Sequence, residues 1–227
     1  MEEELGNPYW RALKTEQACI AIGSGLARRY PRDVIPFAGT EDDSTKAMGD
    51  LAELLEPGEA IYIVGHNNSQ VATLQQVSEL PGWQMIFNGD PISHSQHSAR
   101  VKLLNASDAP NMVSLTDIAF PGFFRARTHE LGSYYGIHAN GELIAMAGER
   151  IALPGFREIS AVCTHPSHTG HGYAATLIGQ LLRTHSAAGL CSFLHVAASN
   201  DRAISLYERL GFAKMRPILF RQLRRLC

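Results

Sequence analysis

The chain has no run approaching the ~18 consecutive apolar residues that would cross a bilayer, and its opening, MEEELGNPYW, lacks a basic segment leading into an apolar one. Neither a membrane span nor a secretory leader is therefore expected. Its four cysteines, Cys19, Cys163, Cys191 and Cys227, are scattered with no CxxC pair. That argues against a disulfide framework or zinc knuckle and for reduced thiols in a cytoplasmic protein. No Lys/Arg-rich run interleaved with aromatics occurs, so nucleic acid is not an expected partner. No internal repeat is visible. Nothing determines the oligomeric state, and a homodimer is compatible with the sequence.

What is present is ordinary globular material: 227 residues, 45% hydrophobic and 19% charged, enough for one large domain or two modest ones. The net charge of -2 conceals a split. Residues 1–97 carry 6 Lys/Arg and 14 Asp/Glu, giving -8, and residues 98–227 carry 14 and 8, giving +6. Opposite charges can dock two parts of a chain, and a basic second part suits a polyanionic ligand. The change of sign falls at the polar segment 88–97, whose turn formers read as a linker, with His94 and His97 as loop residues.

In the first part, Ala18, Ala21, Ile22 and Leu26 recur at helical spacing and predict a helix over 15–30, stopped by Pro31. A second helix is expected over 44–55, then strands at 60–64 and 83–87 with a helical segment over 70–80 between them. The second part predicts a strand at 100–104 and helices at 110–119 and 123–131. A hairpin follows over 134–147 around Asn140-Gly141, a dipeptide that favours a tight turn. A strand over 158–164 precedes a helix with the apolar stripe Ala174, Leu177, Ile178, Leu181 and Leu182. A strand at 192–197, a helix over 200–210 stopped by Gly211, and strand material over 212–220 complete the series. The succession implies an α/β protein of α+β type, its mixed sheet covered by helices. Arg221, Arg224 and Arg225 read as a solvated end.

The segment HPSHTGHGYA, residues 165–174, spaces His165, His168 and His171 three apart. On one helical face they could share a zinc ion. Pro166, Gly170 and Gly172 oppose a continuous helix, so a metal-dependent hydrolase is the least supported reading and no metal is expected. A loop of small residues between a strand and a helix instead exposes helix-start amides, whose dipole favours a pyrophosphate. A plain strand-to-helix turn would have a similar composition.

Two blocks, VCTHPSHTGHGYA at 162–174 and NDRAISLYERLGF at 200–212, resemble the signature blocks of the GNAT superfamily of N-acetyltransferases. The resemblance spans about residues 100–220. The Thr-His-Pro and Gly-Tyr-Ala wording, with an extra N-terminal half, is similar to the glycine N-acyltransferase-like branch. It implies the GNAT acyl-CoA N-acyltransferase fold, with a degenerate GNAT-like domain at 1–97 and a catalytic GNAT domain at 98–227. It further implies acetyl-CoA or another acyl-CoA as co-substrate, the acetyl or small acyl group passing to a primary amine of a small molecule or peptide. Val162, Cys163 and Thr164 would pair their backbone with the pantetheine arm and the acyl carbonyl. Amides of Gly170, His171, Gly172, Tyr173, Ala174 and Ala175 would hold the pyrophosphate. Thr169 stands where the family usually has Arg or Gln. Asn200 would contact CoA while capping its helix.

By the same resemblance Tyr207, two helical turns after Asn200, matches the proton donor; as a plain helix residue it would be core. His195 stands where some relatives carry a glutamate base, and its ordinary pKa suits removal of an ammonium proton. Glu158 is the rival base, and a water relay is the third possibility. Packing supplies the alternatives: a hydrogen-bonded core histidine and a solvated strand end. A non-catalytic acyl-CoA-sensing module is the competing function, with Thr169 as its support. The -8 balance of residues 1–97 points to a cationic acceptor or to docking.

Overall fold

The computed structural model describes residues 4–65, 71–90 and 101–227. Most of the expected linker, including His94 and His97, lies outside the described residues, as does Arg100. A small ribbon, β1 (Ala27–Arg29) with β2 (Ala38–Thr40), precedes the main sheet. The main sheet comprises β3 (Ala60–Val64), β4 (Leu74–Phe87), β5 (Val101–Leu103), β6 (Tyr134–Ala139), β7 (Glu142–Leu153), β8 (Phe156–Thr164), β9 (Cys191–Ala197) and β10 (Phe212–Arg225). Its spatial order is β3-β10-β4-β9-β8-β7-β6-β5, antiparallel throughout except for β8 and β9. Among the described residues five α-helices accompany it: α1 (Pro8–Lys14), α2 (Thr45–Glu53), α3 (Ala109–Ala119), α4 (Tyr173–Ala187) and α5 (Asp201–Arg209).

Apolar cores lie on both faces of the sheet, as the alternation along its strands requires. On one face Met85, Leu194 and Val196 pack against Leu177, Ile178, Leu181 and Leu182 of α4 and against Ile204 and Tyr207 of α5. Each of those four α4 side chains is at most 1% exposed, and such burial contributes roughly 1.5–3 kcal/mol apiece. On the other face Ile86 and Phe193 meet Leu5, Tyr9, Leu13 and Phe37. The first part of the chain is thus a cover for one face of the sheet.

It is also part of the sheet. β4 lies between β9 and β10, so the sheet is continuous across residue 97. Ion pairs join acids of the first part to bases of the second: Glu79 with Arg221 at 3.2 Å, Asp33 with Arg127 at 3.3 Å, and Glu16 with Arg157 at 3.6 Å. The charge split works as docking across this join. Arg221 is buried and Arg225 bonds the Leu55 carbonyl, so neither is merely a solvated end.

Four expected elements differ. The helix over 15–30 is absent: α1 starts earlier, with Pro8 in its first turn, and Gly23 and Gly25 take φ of +106° and +66°, which no helix accepts. The segment 74–80, expected as helix, is strand, because β10 pairs with β4 along its whole length and overrides local propensity. Pro81-Gly82 runs straight through β4, at the point where β9 joins as a second neighbour. Only Thr128–Leu131 of the segment 123–131 is helical, as a 3-10 turn, after Pro121-Gly122 breaks the run. β10 continues to Arg225, past the expected end at 220, because β3 and β4 both pair with its second half.

Candidate active site

β8 and β9 pair only from Phe156↔Cys191 to Glu158↔Phe193. Beyond that point β9 follows β4 and β8 follows β7, and the two strands part. The edge of β8 at Val162, Cys163 and Thr164 therefore faces an opening instead of a neighbouring strand. A bulge reinforces the divergence: Met146 opposes Cys163 and Gly148 opposes Ser160, leaving β8 one residue in excess. Ala161, inside the bulge, has φ +52°, a conformation that costs a non-glycine residue roughly 1–2 kcal/mol.

At the end of this opening stands α4. Gly170 and Gly172 have φ of +84° and +74°, and a Cβ built on either meets nothing within 4 Å. They are glycines for backbone conformation and clear space, not for packing. Gly172 caps α4 without a side chain, and the first intrahelical bond runs from the Thr176 amide to the Gly172 carbonyl at 3.0 Å. The start of the helix thus presents amides and the positive dipole end to the opening. His165 accepts the Ser167 amide through Nδ1 at 3.2 Å, and Thr169 donates to the Pro166 carbonyl at 3.2 Å. His171 lies beside the Tyr173 ring, centroids 5.5 Å apart. The three histidines do not converge, and among the described residues no group of three or more His, Cys, Asp or Glu could hold a metal ion.

Two adjoining cavities follow the opening. One, of about 460 Å³, is lined by residues of the 162–175 segment together with Asn200, Arg202, Ala203, Tyr207 and Arg209. The other, of about 260 Å³, lies beyond it under an aromatic wall that includes Phe37, Tyr62, Phe123, Phe124 and Tyr134. Phe120, Val162, Asn200 and Tyr207 line both. Asn200 caps α5, accepting the Ala203 amide through Oδ1 at 3.1 Å. Tyr207 is buried, and burial pushes its phenol up to about 12. Cys163 is likewise pushed up to about 12 by burial, which makes it an inert thiol.

Glu158 and His195, expected as rival bases, belong to one buried chain of polar groups. Arg150 grips Glu158 through Nε at 2.9 Å and Nη2 at 2.5 Å. Burial alone would raise the Glu158 carboxyl, but Arg150 and then His195 outweigh it and hold it down to about 2. Arg216 donates through Nε to Gln84 Oε1 at 2.8 Å, which turns the Gln84 amide nitrogen toward His195 Nε2 at 3.0 Å. His195 Nε2 must then accept, so the ring carries its proton on Nδ1 and donates it to Glu158 Oε1 at 2.7 Å. Burial lowers the His195 pKa, and Glu158 only partly offsets it. The expectation of a solvated strand end at Glu158 is corrected: its side chain is fully buried. A chelated carboxylate held so low is a poor proton acceptor at neutral pH, and His195 has both ring nitrogens engaged.

The sign of the pH dependence follows. His195 and Glu158 have folded pKa values below their unfolded ones, so the unfolded chain binds more protons as pH falls. Stability should be full above about pH 6.5, decline as His195 protonates in the unfolded chain, and fall further from about pH 4.5 toward 2 through Glu158. Glu59, held to about 2 despite burial by Arg29 and Arg32, adds to the second stage. Urea titrations at pH 8, 6, 5 and 4 measure this; a midpoint that does not move across that range contradicts the buried chain.

Sequence reasoning misses several participants. Arg202 and Arg209 place two cations on the larger cavity, where Thr169 supplies none. Arg202 has a signal in its position inside the second motif, two residues after Asn200. Phe120, Phe123 and Phe124 cluster visibly around Pro121-Gly122, but helical spacing alone does not turn them toward a cavity. Arg150 and Gln84 carry no local signal.

A family model described as FR47-like protein matches residues 134–220. Among solved structures, a GNAT-family protein from Novosphingobium aromaticivorans is 33% identical, with a TM-score of 0.90 over 98% of this chain and 99% of that one. A GCN5-related N-acetyltransferase from Kribbella flavida is 17% identical, with a TM-score of 0.57 over 95% of both chains. A GCN5-related N-acetyltransferase-like protein from Streptococcus suis is 14% identical, with a TM-score of 0.58 over 89% of this chain and 85% of that one. The last two share the fold alone. No curated protein matches the chain. Among the described residues, no helix is long and apolar enough to cross a membrane.

Proposed function

The chain belongs to the GNAT family, and from that premise we propose that it is an acyl-CoA-dependent N-acetyltransferase acting on a primary amine of a small molecule or peptide. One observation carries the reading: the parting of β8 and β9 leads to the start of α4, free of any side-chain cap, with Asn200 and Tyr207 on both adjoining cavities. The fit to an acyl-CoA rests on chemistry. Open space above Gly170 and Gly172 admits a pyrophosphate to the amides of residues 170–175, and Arg202 and Arg209 supply cations beside it. The free edge of β8 at Val162, Cys163 and Thr164 suits the amides of a pantetheine arm.

When bound, the thioester supplies an activated acyl carbon. The backbone of β8 at Val162, Cys163 and Thr164, beyond the bulge, would meet negative charge developing on the carbonyl oxygen. The amine nitrogen bonds to the acyl carbon while the carbon–sulfur bond breaks. Tyr207 gives its phenolic proton to the leaving thiolate, and the proton shed by the amine returns through water to the tyrosinate. His195 and Glu158 act as positioning groups behind the smaller cavity. Water is assigned the base role because both of those side chains are committed elsewhere.

We place the chain with the glycine N-acyltransferase-like branch, residues 1–97 forming a degenerate GNAT-like unit and 98–227 the catalytic unit, with both contributing to the wall of the smaller cavity. The setting proposed is cytoplasmic, and the partner proposed is the amine acceptor. The sensing-module alternative loses its support, since Arg202 and Arg209 stand in for the cation missing at Thr169. Calorimetric titration with acetyl-CoA tests the first step: no heat at millimolar ligand with folded protein defeats the proposal. Gly172→Val should weaken acetyl-CoA binding by about tenfold or more, since a β-branched residue resists φ +74° and the cap amides shift. Unchanged affinity would remove the loop from the cofactor site.

A further inference from the structure

Arg150 belongs to the buried chain but does more than balance Glu158. It lines the smaller cavity, and its side chain is 14% exposed, whereas Glu158 beneath it is not exposed at all. Two of its three guanidinium nitrogens, Nε and Nη2, are taken by Glu158. Among the described residues Nη1 has no hydrogen-bond acceptor. The guanidinium is held in place by the rings of Phe37 at 5.0 Å and Tyr9 at 5.6 Å, so its open edge has a settled direction. The remaining wall is aromatic and aliphatic, with Thr128, Ser160, His195, Asn200 and the hydroxyls of Tyr62, Tyr134 and Tyr207 as its other polar groups; of these, Thr128 donates to the Val34 carbonyl, Tyr134 to the Glu149 carbonyl, Asn200 accepts the Ala203 amide, and His195 is held between Glu158 and Gln84. Among the described residues no Asp or Glu lies on that wall.

These features oppose a cationic acceptor such as a polyamine, whose distal ammonium would enter an aromatic cavity with no carboxylate to meet it. They suit an acceptor with an anionic end. We propose that the cavity takes a small apolar amine bearing a carboxylate, of the kind of an aromatic α-amino acid, with the carboxylate on Arg150 Nη1 and the side chain among Phe37, Phe123 and Phe124. The cavity of about 260 Å³ falls below the size of drug-sized sites, which fits a compact molecule. Burial of the Arg150–Glu158 pair explains the selectivity: a buried donor edge left without an acceptor penalises the analogue that lacks the carboxylate. The inference rests on the acetyltransferase reading for the identity of the amine as acceptor, but not for the carboxylate site itself.

The test uses the whole chain, titrated calorimetrically with L-phenylalanine, 2-phenylethylamine and 1,4-diaminobutane, each with and without CoA. L-Phenylalanine should bind at least about tenfold more tightly than 2-phenylethylamine, and the diamine should show no binding at millimolar concentration. Arg150→Lys keeps a charge for Glu158 but has no second edge to offer, and should erase most of that preference. Because the variant could disturb the buried pair, the comparison of ligands on the unaltered protein decides. Equal or tighter binding of either decarboxylated amine, or no binding of L-phenylalanine in either condition, overturns the proposal. Failure of CoA itself to bind defeats the acetyltransferase reading, while the titrations without CoA still report on the carboxylate site.

Discussion

Replacing Tyr207 by Phe is expected to lower kcat by about 10²- to 10³-fold while leaving acetyl-CoA affinity within about twofold. The substitution removes one hydroxyl and keeps the ring that packs beside Phe212, centroids 5.9 Å apart. Among the described residues that hydroxyl has no hydrogen-bond partner, so its removal leaves no orphaned group in the protein and should change stability by less than about 1 kcal/mol. A tyrosine kept only for packing would lose nothing in turnover. Held up to about 12, the phenol stays protonated across the working range and can donate to a thiolate throughout it. Thiol release followed at saturating acetyl-CoA, alongside calorimetry and thermal melting, separates the possibilities. Full turnover in Tyr207→Phe returns the residue to the core.

Glu158→Leu should destabilise the chain by about 3–5 kcal/mol, because it strands the Arg150 charge with no counter-ion in a buried site. For a chain of this size that corresponds to a fall in Tm of roughly 10 °C. The double variant Arg150→Met with Glu158→Leu should recover most of the loss, since well-packed apolar residues can replace a buried pair without net cost. His195 would lose its Nδ1 acceptor in both, and this sets a floor to the recovery. Thermal and urea unfolding of the single and double variants gives the coupling. A single variant within about 1 kcal/mol of the parent would show that the pair is solvated in solution, and the pH dependence expected from it would vanish as well.

Much of the architecture of residues 134–212 is legible in the sequence. The stripe Leu177, Ile178, Leu181 and Leu182, the Asn140-Gly141 hairpin and the Asn200 cap are signals carried by neighbours three or four residues apart. The same holds for the Gly170–Gly172 loop, whose positive φ angles are the reason for glycine there. Legibility ends where partners are distant. Residues 74–80 carry a helical pattern, and nothing within them announces the thirteen pairings of β4 with β10, more than a hundred residues later. The segment 15–30 misleads for the opposite reason: its apolar spacing outweighs two local glycines on paper, yet tertiary packing never uses that spacing.

Sequence alone determined the loop, the motif residues Asn200 and Tyr207, and the type of the elements that carry them, because short-range backbone preference and helical periodicity are local properties. Only the tertiary structure decided which groups meet. Glu158 could be a base, a strand end or a buried anchor until strand register set it against Arg150 across β7 and His195 across β9. Gln84, from the first part of the chain, fixes the tautomer of His195 because β4 inserts beside β9. Hydrogen bonding and desolvation depend on distance in space, and a sheet brings together residues whose separation along the chain says nothing of it.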